Sequence, residues 1–352
     1  MKEIEKVPAK IKHKPEDFIV EEIGDKWICT VEPTTNHRPP TTENSNAVFL
    51  WCELEKKNID HFRAIEEIST ALQTREIGYA GSKDKRAWTS QRISIFKPNI
   101  ELVKNFSHPD IILKNFKWNK RKIKIGYLDG NHFKITLRDI DKKDAMTITK
   151  QIRNLEWFPN YFGSQRFGIN QGNVKIGKLL LKRKWAEALK EINGQESNDP
   201  LSSLKKINRK NMLMYINSVQ SKIFNDILEQ ALEENIKFKL TTNSQRLTAN
   251  KQEPSSCLLM GYNTRFFSGR LGEIEQQILT AHNLTLENFN IKELPFLRMK
   301  GSFRKAVTEI KDLEIETSDD DEFPGSKKIY LAFTLPSGTY ATTFLENFFI
   351  LN

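Results

Sequence analysis

The chain has 352 residues, enough for one large or two medium domains, and 38% of them are hydrophobic, an ordinary share for a soluble protein. Its 55 lysines and arginines against 45 acids give a formal charge of +10, which favours a polyanionic partner, nucleic acid foremost, over an acidic or neutral one. Cys29, Cys52 and Cys257 form no C-x-x-C pair, the N-terminus has no signal-peptide core, and no run reaches the ~18 apolar residues of a membrane span; zinc knuckle, disulfide framework and membrane protein are set aside, and a cytoplasmic protein is expected.

The first predicted element is a strand within residues 11–22, where Phe18 and Val20 alternate with charged residues after Pro15, Glu16 and Asp17. Residues 33–46 are polar and proline-rich and read as a mobile loop before a strand over 47–54. Asp60 is placed to cap a helix whose apolar positions Phe62, Ile65, Ile68 and Leu72 follow helical spacing. That helix delivers the chain to GYAGSKDKRAWTSQ (78–91), a turn running into a strand over 88–96. Gly78 and Gly81 permit a sharp turn and a close approach to a ligand, and Asp84 then stands between Lys83 and Lys85 with Arg86 next. One acid among three bases either forms a site, in which cations attract phosphate while the carboxylate acts as nucleophile or base, or is a solvated turn with a local ion pair.

KNFKWNKRKIKIG (114–126) interleaves bases, among them Lys120, Arg121 and Lys122, with Phe116 and Trp118. Such a stretch suits RNA, cations meeting phosphates and rings meeting bases; it equally suits an edge strand with a lysine-rich outer face. GNHFKITLR (130–138) alternates as another strand, with Asn131 and Phe133 on one side and His132 on the other. Near residue 160 the texture changes at PNYFGSQRFG (159–168), and the next ~130 residues read mostly helical, which places a domain junction there. In the helix over 212–232, Gln220 falls on the apolar stripe of Leu213, Ile216, Ile223, Ile227 and Leu228 and needs a buried partner, a protein group or a ligand. Strands return near 294. The acidic run 312–322 reads as a solvated, mobile connection, and the chain ends in a strand over 328–334 and LPSGTYATTFLEN (335–347) opening a terminal helix.

Six of these blocks, in this order, resemble one family, the TruD-type tRNA pseudouridine synthases: KPEDF (14–18) with Glu22, the 78–91 stretch, GNHF (130–133), PNYFGSQRFG (159–168), Gln220-Ser221 and LPSGTYAT (335–342). At Trp88 the chain departs from the pattern, where a smaller side chain is expected. The resemblance implies an α+β fold: a catalytic domain from residues 1–160 and 300–352 around a mainly antiparallel mixed sheet flanked by helices, with a mainly helical TRUD-type domain inserted over 161–299. It implies isomerisation of uridine to pseudouridine in tRNA, most simply uridine 13 of the D arm, with no cofactor, no metal and no obligate protein partner. Asp84 matches the catalytic carboxylate, and Phe133 matches the ring that stacks on the uracil. Asn131 and Glu22 match supporting positions, and Lys83, or else Arg86, is expected to pair with Asp84. Candidate RNA phosphate contacts are Arg86, Lys120, Arg121, Lys122 and Arg166. The rival expectations are a noncatalytic tRNA-binding protein or RNA chaperone on the same fold, and an aspartate-dependent hydrolase.

Overall fold

A computed structural model of the chain describes residues 5–25, 27–31, 47–240 and 254–352; the loop expected over 33–46 lies outside them. In chain order come β1 (Val7–Ala9), β2 (Phe18–Gly24), β3 (Trp27–Ile28) and β4 (Phe49–Lys57). Helix α1 (His61–Ala71) and β5 (Ile77–Tyr79) lead to β6 (Trp88–Phe96), α2 (Ile100–Lys104), β7 (Ile111–Asn119), β8 (Gly130–Ile140) and α3 (Lys142–Ile152). Then follow β9 (Trp157–Pro159), α4 (Gly172–Leu181), α5 (Trp185–Asn193), α6 (Pro200–Lys205), α7 (Arg209–Glu233), β10 (Ser256–Leu259), α8 (Arg270–Ala281) and β11 (Ser302–Lys305). The remaining elements are β12 (Val307–Glu309), β13 (Lys311–Asp319), β14 (Lys327–Pro336), α9 (Ala341–Leu345) and β15 (Phe349–Leu351).

Two compact units result. The first holds Glu5–Glu156, Glu309–Ala341 and Asn347–Asn352; the second holds Trp157–Thr308 and Thr342–Glu346. The first is built on a nine-stranded sheet of order β13-β14-β8-β2-β6-β4-β7, with β3 on β2 and β5 on β6. Within that sheet β2 and β6 run parallel and the other pairings are antiparallel, so the fold is α+β on a mainly antiparallel mixed sheet, as expected. β4 is buried on both faces. One face carries Leu50, Cys52 and Leu54 against Ala64 and Ile68 of α1, whose first turn is capped by Asp60 accepting from the Phe62 and Arg63 N–H groups. The other carries Glu53 and Glu55, tolerable there because Arg92 and Lys114 reach them at 3.2 and 2.6 Å. Glu55 also explains the large side chain at 88, since it accepts a 2.8 Å bond from the Trp88 indole.

The acidic run departs from its expected form. Residues 311–319 form β13 on the edge of the sheet, and Asp320 is only 6% exposed. The reason is Arg138 on β8, whose guanidinium grips Asp17 at 2.9 and 2.8 Å and donates one N–H each to Asp320 and Asp321, at 2.8 and 3.0 Å. A bidentate fork facing carboxylates from both sides turns a segment that would be solvated alone into an anchor. The expected strand over 11–22 likewise begins only at Phe18, because Pro15–Asp17 form a turn of 3-10 helix that Asp17 closes by accepting from the Lys14 N–H at 3.1 Å.

In the second unit α7 supplies the long apolar stripe, with Met212, Ile216, Val219, Ile223 and Ile227 fully buried. Gln220 finds a protein partner, its amide donating to the Met260 carbonyl. Glu275 on α8 is fully buried with one oxygen bonded to the Phe267 N–H at 2.9 Å and the other unpartnered. Burial pushes its carboxyl up to about 7. A folded value above the ordinary 4.5 means that the charged form is tolerated poorly, so this group's penalty is absent below about pH 4.5 and fully present above about pH 7. Glu275→Gln is therefore expected to stabilise the chain at pH 8, by up to about 3 kcal/mol, and to give no gain at pH 4.5. Urea unfolding of the full chain at the two pH values measures the difference.

Candidate active site

β5 must lie close to the loop that follows β7, and Gly78 permits it: a Cβ there would stand 2.3 Å from the Ile123 carbonyl oxygen. The Ile123 and Gly126 N–H groups bond Ser94 Oγ and the Ala80 carbonyl at 3.0 and 2.8 Å, which moors the basic loop alongside residues 78–80. Gly81 has open space where a Cβ would sit and is not constrained in this way. The following turn lifts Asp84 to the surface, where its side chain is 53% exposed.

The pairing expected for Asp84 is corrected by the geometry. Its Oδ2 accepts a 2.8 Å bond from Lys12, whereas Lys83 turns inward to Glu22 at 2.6 Å, both of those side chains being almost fully buried. Neighbouring residues of an extended chain point apart, which is why Lys83 cannot follow Asp84 outward. Arg86 is exposed and makes no ion pair among the described residues. Lys12 was invisible to the sequence argument: it lies 72 residues away and reaches the site from a left-handed backbone, φ +56°. Its ammonium also stands 4.2 Å from the centre of the Phe18 ring, a cation–π contact that ties the carboxylate loop to the start of β2.

On one face of the sheet, Glu22 of β2 lies directly opposite Asn131 of β8, and Val20 opposite Phe133. Glu21 takes the other face, where it bonds Lys134 and the Val31 N–H, so Glu22 is the acid on the Asn131 side. Glu22 accepts from Lys83 and from the Arg92 N–H at 3.2 Å. Phe133 is 6% exposed, its ring stacked on Phe333 at 5.5 Å with Phe18 against its edge at 6.4 Å. A continuous set of contacts therefore runs from Asp84 through Lys12 and Phe18 to Phe133, and Lys83 and Glu22 bring Asn131 to the same neighbourhood. Asn131 Oδ1 is buried and has no hydrogen-bond partner. A buried acceptor left open in a polar site is suited to a ligand N–H. Asn131→Ala is accordingly expected to change stability by less than about 1 kcal/mol, read by urea unfolding, because Oδ1 makes no hydrogen bond that the fold would lose.

Beneath the loop lies Lys56 of β4. Its side chain is fully buried, and its ammonium donates to the main-chain carbonyls of Asp84 and Ile59 at 2.6 and 2.9 Å. His61, 1% exposed at the start of α1, packs edge-on to Tyr79 at 4.5 Å with neither ring nitrogen hydrogen-bonded; Gln91 comes near it without bonding geometry. Burial, with Lys56 and Lys83 nearby, pushes the imidazole down to about 4, so it is neutral at physiological pH. The Gln91 amide donates to the Gly81 carbonyl at 3.1 Å.

Of the candidate phosphate contacts, Lys120 and Arg121 are exposed on the moored loop, and Lys122 is engaged by Glu76 at 3.0 Å. Phe116 and Trp118 pack against the core beneath α1, and β7 is an edge strand, so the edge-strand reading holds for the rings. Arg166 belongs to the second unit, where it donates to Ser221 at 3.1 Å and stacks over Phe162. Among the described residues no group of three or more metal-ligating side chains could hold an ion, and no helix is long and apolar enough to cross a membrane.

A family model described as tRNA pseudouridine synthase D (TruD) matches residues 1–199 and 236–348. A Methanocaldococcus jannaschii protein named probable tRNA pseudouridine synthase D 1 is 30% identical to this chain, the alignment covering 96% of the chain and 94% of the relative. For a Methanosarcina mazei protein named probable tRNA pseudouridine synthase D the figures are 28%, 98% and 94%. A crystal structure of a Methanosarcina mazei chain described as the "putative tRNA pseudouridine synthase D (TruD)" superposes with a TM-score of 0.77 at 26% identity, covering 98% of this chain and 94% of that one.

Proposed function

Since the chain belongs to the tRNA pseudouridine synthase D (TruD) family, an RNA uridine isomerase family, we propose that it converts uridine 13 in the D arm of tRNA to pseudouridine, with Asp84 as the reacting carboxylate. The observation that carries this reading is the placement of Asp84: exposed to an incoming ribose, held by one cation at its side chain and another at its main chain, and linked by contact to an aromatic cluster and an unfilled amide acceptor.

A carboxylate beside the ribose either attacks C1′ or takes the C2′ proton, and both routes break the C1′–N1 bond. The detached uracil rotates and rejoins through C5; C5 gives up a proton, N1 ends with one, and no atom or electron is gained or lost. The reaction thus needs no cofactor. Phe133 is the ring on which the base stacks, its π-face being suited to a planar uracil. Asn131 Oδ1 accepts from the uracil N3–H, and Glu22 and Lys83 brace the strand and loop. Arg86, Lys120 and Arg121 take phosphates, offsetting the few kcal/mol lost when the uridine leaves its stack. Arg166 is assigned the same role in the second unit.

The test uses the purified chain and an unmodified tRNA transcript without any cofactor. Carbodiimide-dependent primer extension is expected to stop at position 13 after incubation and not before. No pseudouridine anywhere refutes the activity; pseudouridine at another position refutes the site.

A further inference from the structure

We infer that Lys56 is a positioning residue for this reaction, setting where the Asp84 carboxylate stands by tying the main chain of its loop to the main chain ahead of α1. The inference rests on Asp84 being the reacting group. Lys56 lies under the loop on a fully paired strand, opposite Thr89 of β6 and Ile111 of β7, so its root is fixed by hydrogen bonds on both sides. Two of its three N–H donors are spent on carbonyls in different segments, Asp84 and Ile59. No carboxylate lies within ion-pair distance of it among the described residues. A buried ammonium serving only carbonyls is a costly way to join two loops, since a neutral donor would make the same bonds without desolvating a charge. What the charge adds is an electrostatic coupling to Asp84, which favours protonated Lys56.

The groups facing Lys56 are Asp84 and Lys83 on the loop and Asp60 and His61 at the start of α1. Thr89 and Ile111 on the flanking strands do not titrate. Burial pushes the ammonium down to about 8, with Lys83 acting in the same direction and the two aspartates opposing it. As pH rises through that value the cation is lost, and the carboxylate loop loses its charged tether.

Single-turnover rates and tRNA affinities are to be measured from pH 6.5 to 9.5 for the unaltered chain, Lys56→Met, Lys56→Arg and Asp84→Asn, with circular dichroism as a check on folding. Expected are a wild-type rate that falls above about pH 8 with affinity nearly constant, and a loss of about 10²-fold in rate but under 3-fold in affinity for Lys56→Met. Lys56→Arg, whose cation does not titrate in this range, is expected to keep a flat alkaline limb. A wild-type rate level to pH 9.5, or a folded Lys56→Met at the wild-type rate, overturns the inference. If Lys56→Met does not fold, the wild-type and arginine profiles decide alone. An active Asp84→Asn brings down the assignment of the reacting group instead, so the two failures are told apart.

Discussion

Replacing Asp84 by asparagine is expected to leave a folded protein that binds tRNA but forms pseudouridine at least about 10³-fold more slowly, because the variant keeps the shape and loses both nucleophile and base. The structure makes this a clean substitution. The side chain is half exposed and its ion-pair partner among the described residues, Lys12, is itself 20% exposed, so that cation keeps contact with solvent. The main-chain carbonyl that Lys56 holds is the same in both residues. Carbodiimide primer extension gives the rate, and filter binding the affinity. Modification at the normal rate would remove Asp84 from the chemistry.

The largest effect on stability is expected at Arg138. Changing it to methionine leaves the carboxylates of Asp17 and Asp320, both nearly fully buried, facing each other without a cation; breaking a buried pair of this kind costs about 3–5 kcal/mol. Asp320 sets the pH dependence. Burial opposes its charge, but the N–H groups of Asp139 and Glu322 and the Arg138 guanidinium outweigh that and hold the carboxyl below its ordinary value. Its contribution is therefore present above the usual carboxylate range and lost as pH falls through the lowered value. Urea unfolding is expected to show the full deficit of Arg138→Met at pH 7 and a smaller one near pH 3, and adding Asp17→Asn and Asp320→Asn should recover part of it at pH 7. An unchanged midpoint at pH 7 would show that the cluster adds nothing. The same variant should also slow the reaction, because the Arg138 guanidinium holds Asp17, whose carboxylate accepts from the Lys14 N–H and so fixes the segment from which Lys12 reaches Asp84.

What could be read from residues alone followed distance along the chain. The Asp60 cap, the β6 strand after the glycine-rich turn and the shared side of Asn131 and Phe133 depend on neighbours within a few positions, and local periodicity contains them. The Lys12–Asp84 pair, the Arg138 cluster and the Asp84 carbonyl held by Lys56 join positions separated by 28 to 183 residues and follow only from strand order. The acidic run misled for the same reason, since its buried cation is on another strand. The family resemblance supplied the candidate positions 84 and 133, but it did not reveal that Lys12 and Lys56 hold the loop that carries Asp84.

β8, which carries Asn131 and Phe133, is flanked by β2 on one side and by β14 on the other. During synthesis β2 and β8 are available early, but the second flank consists of residues 327–336 and emerges only after Trp157–Thr308 of the second unit have been made. Until then the growing polypeptide exposes the unpaired margin of β8, the kind of surface that invites wrong pairing. A ribosome stalled within residues 157–308 would thus display a half-built sheet, which is complete only once the closing strand has arrived.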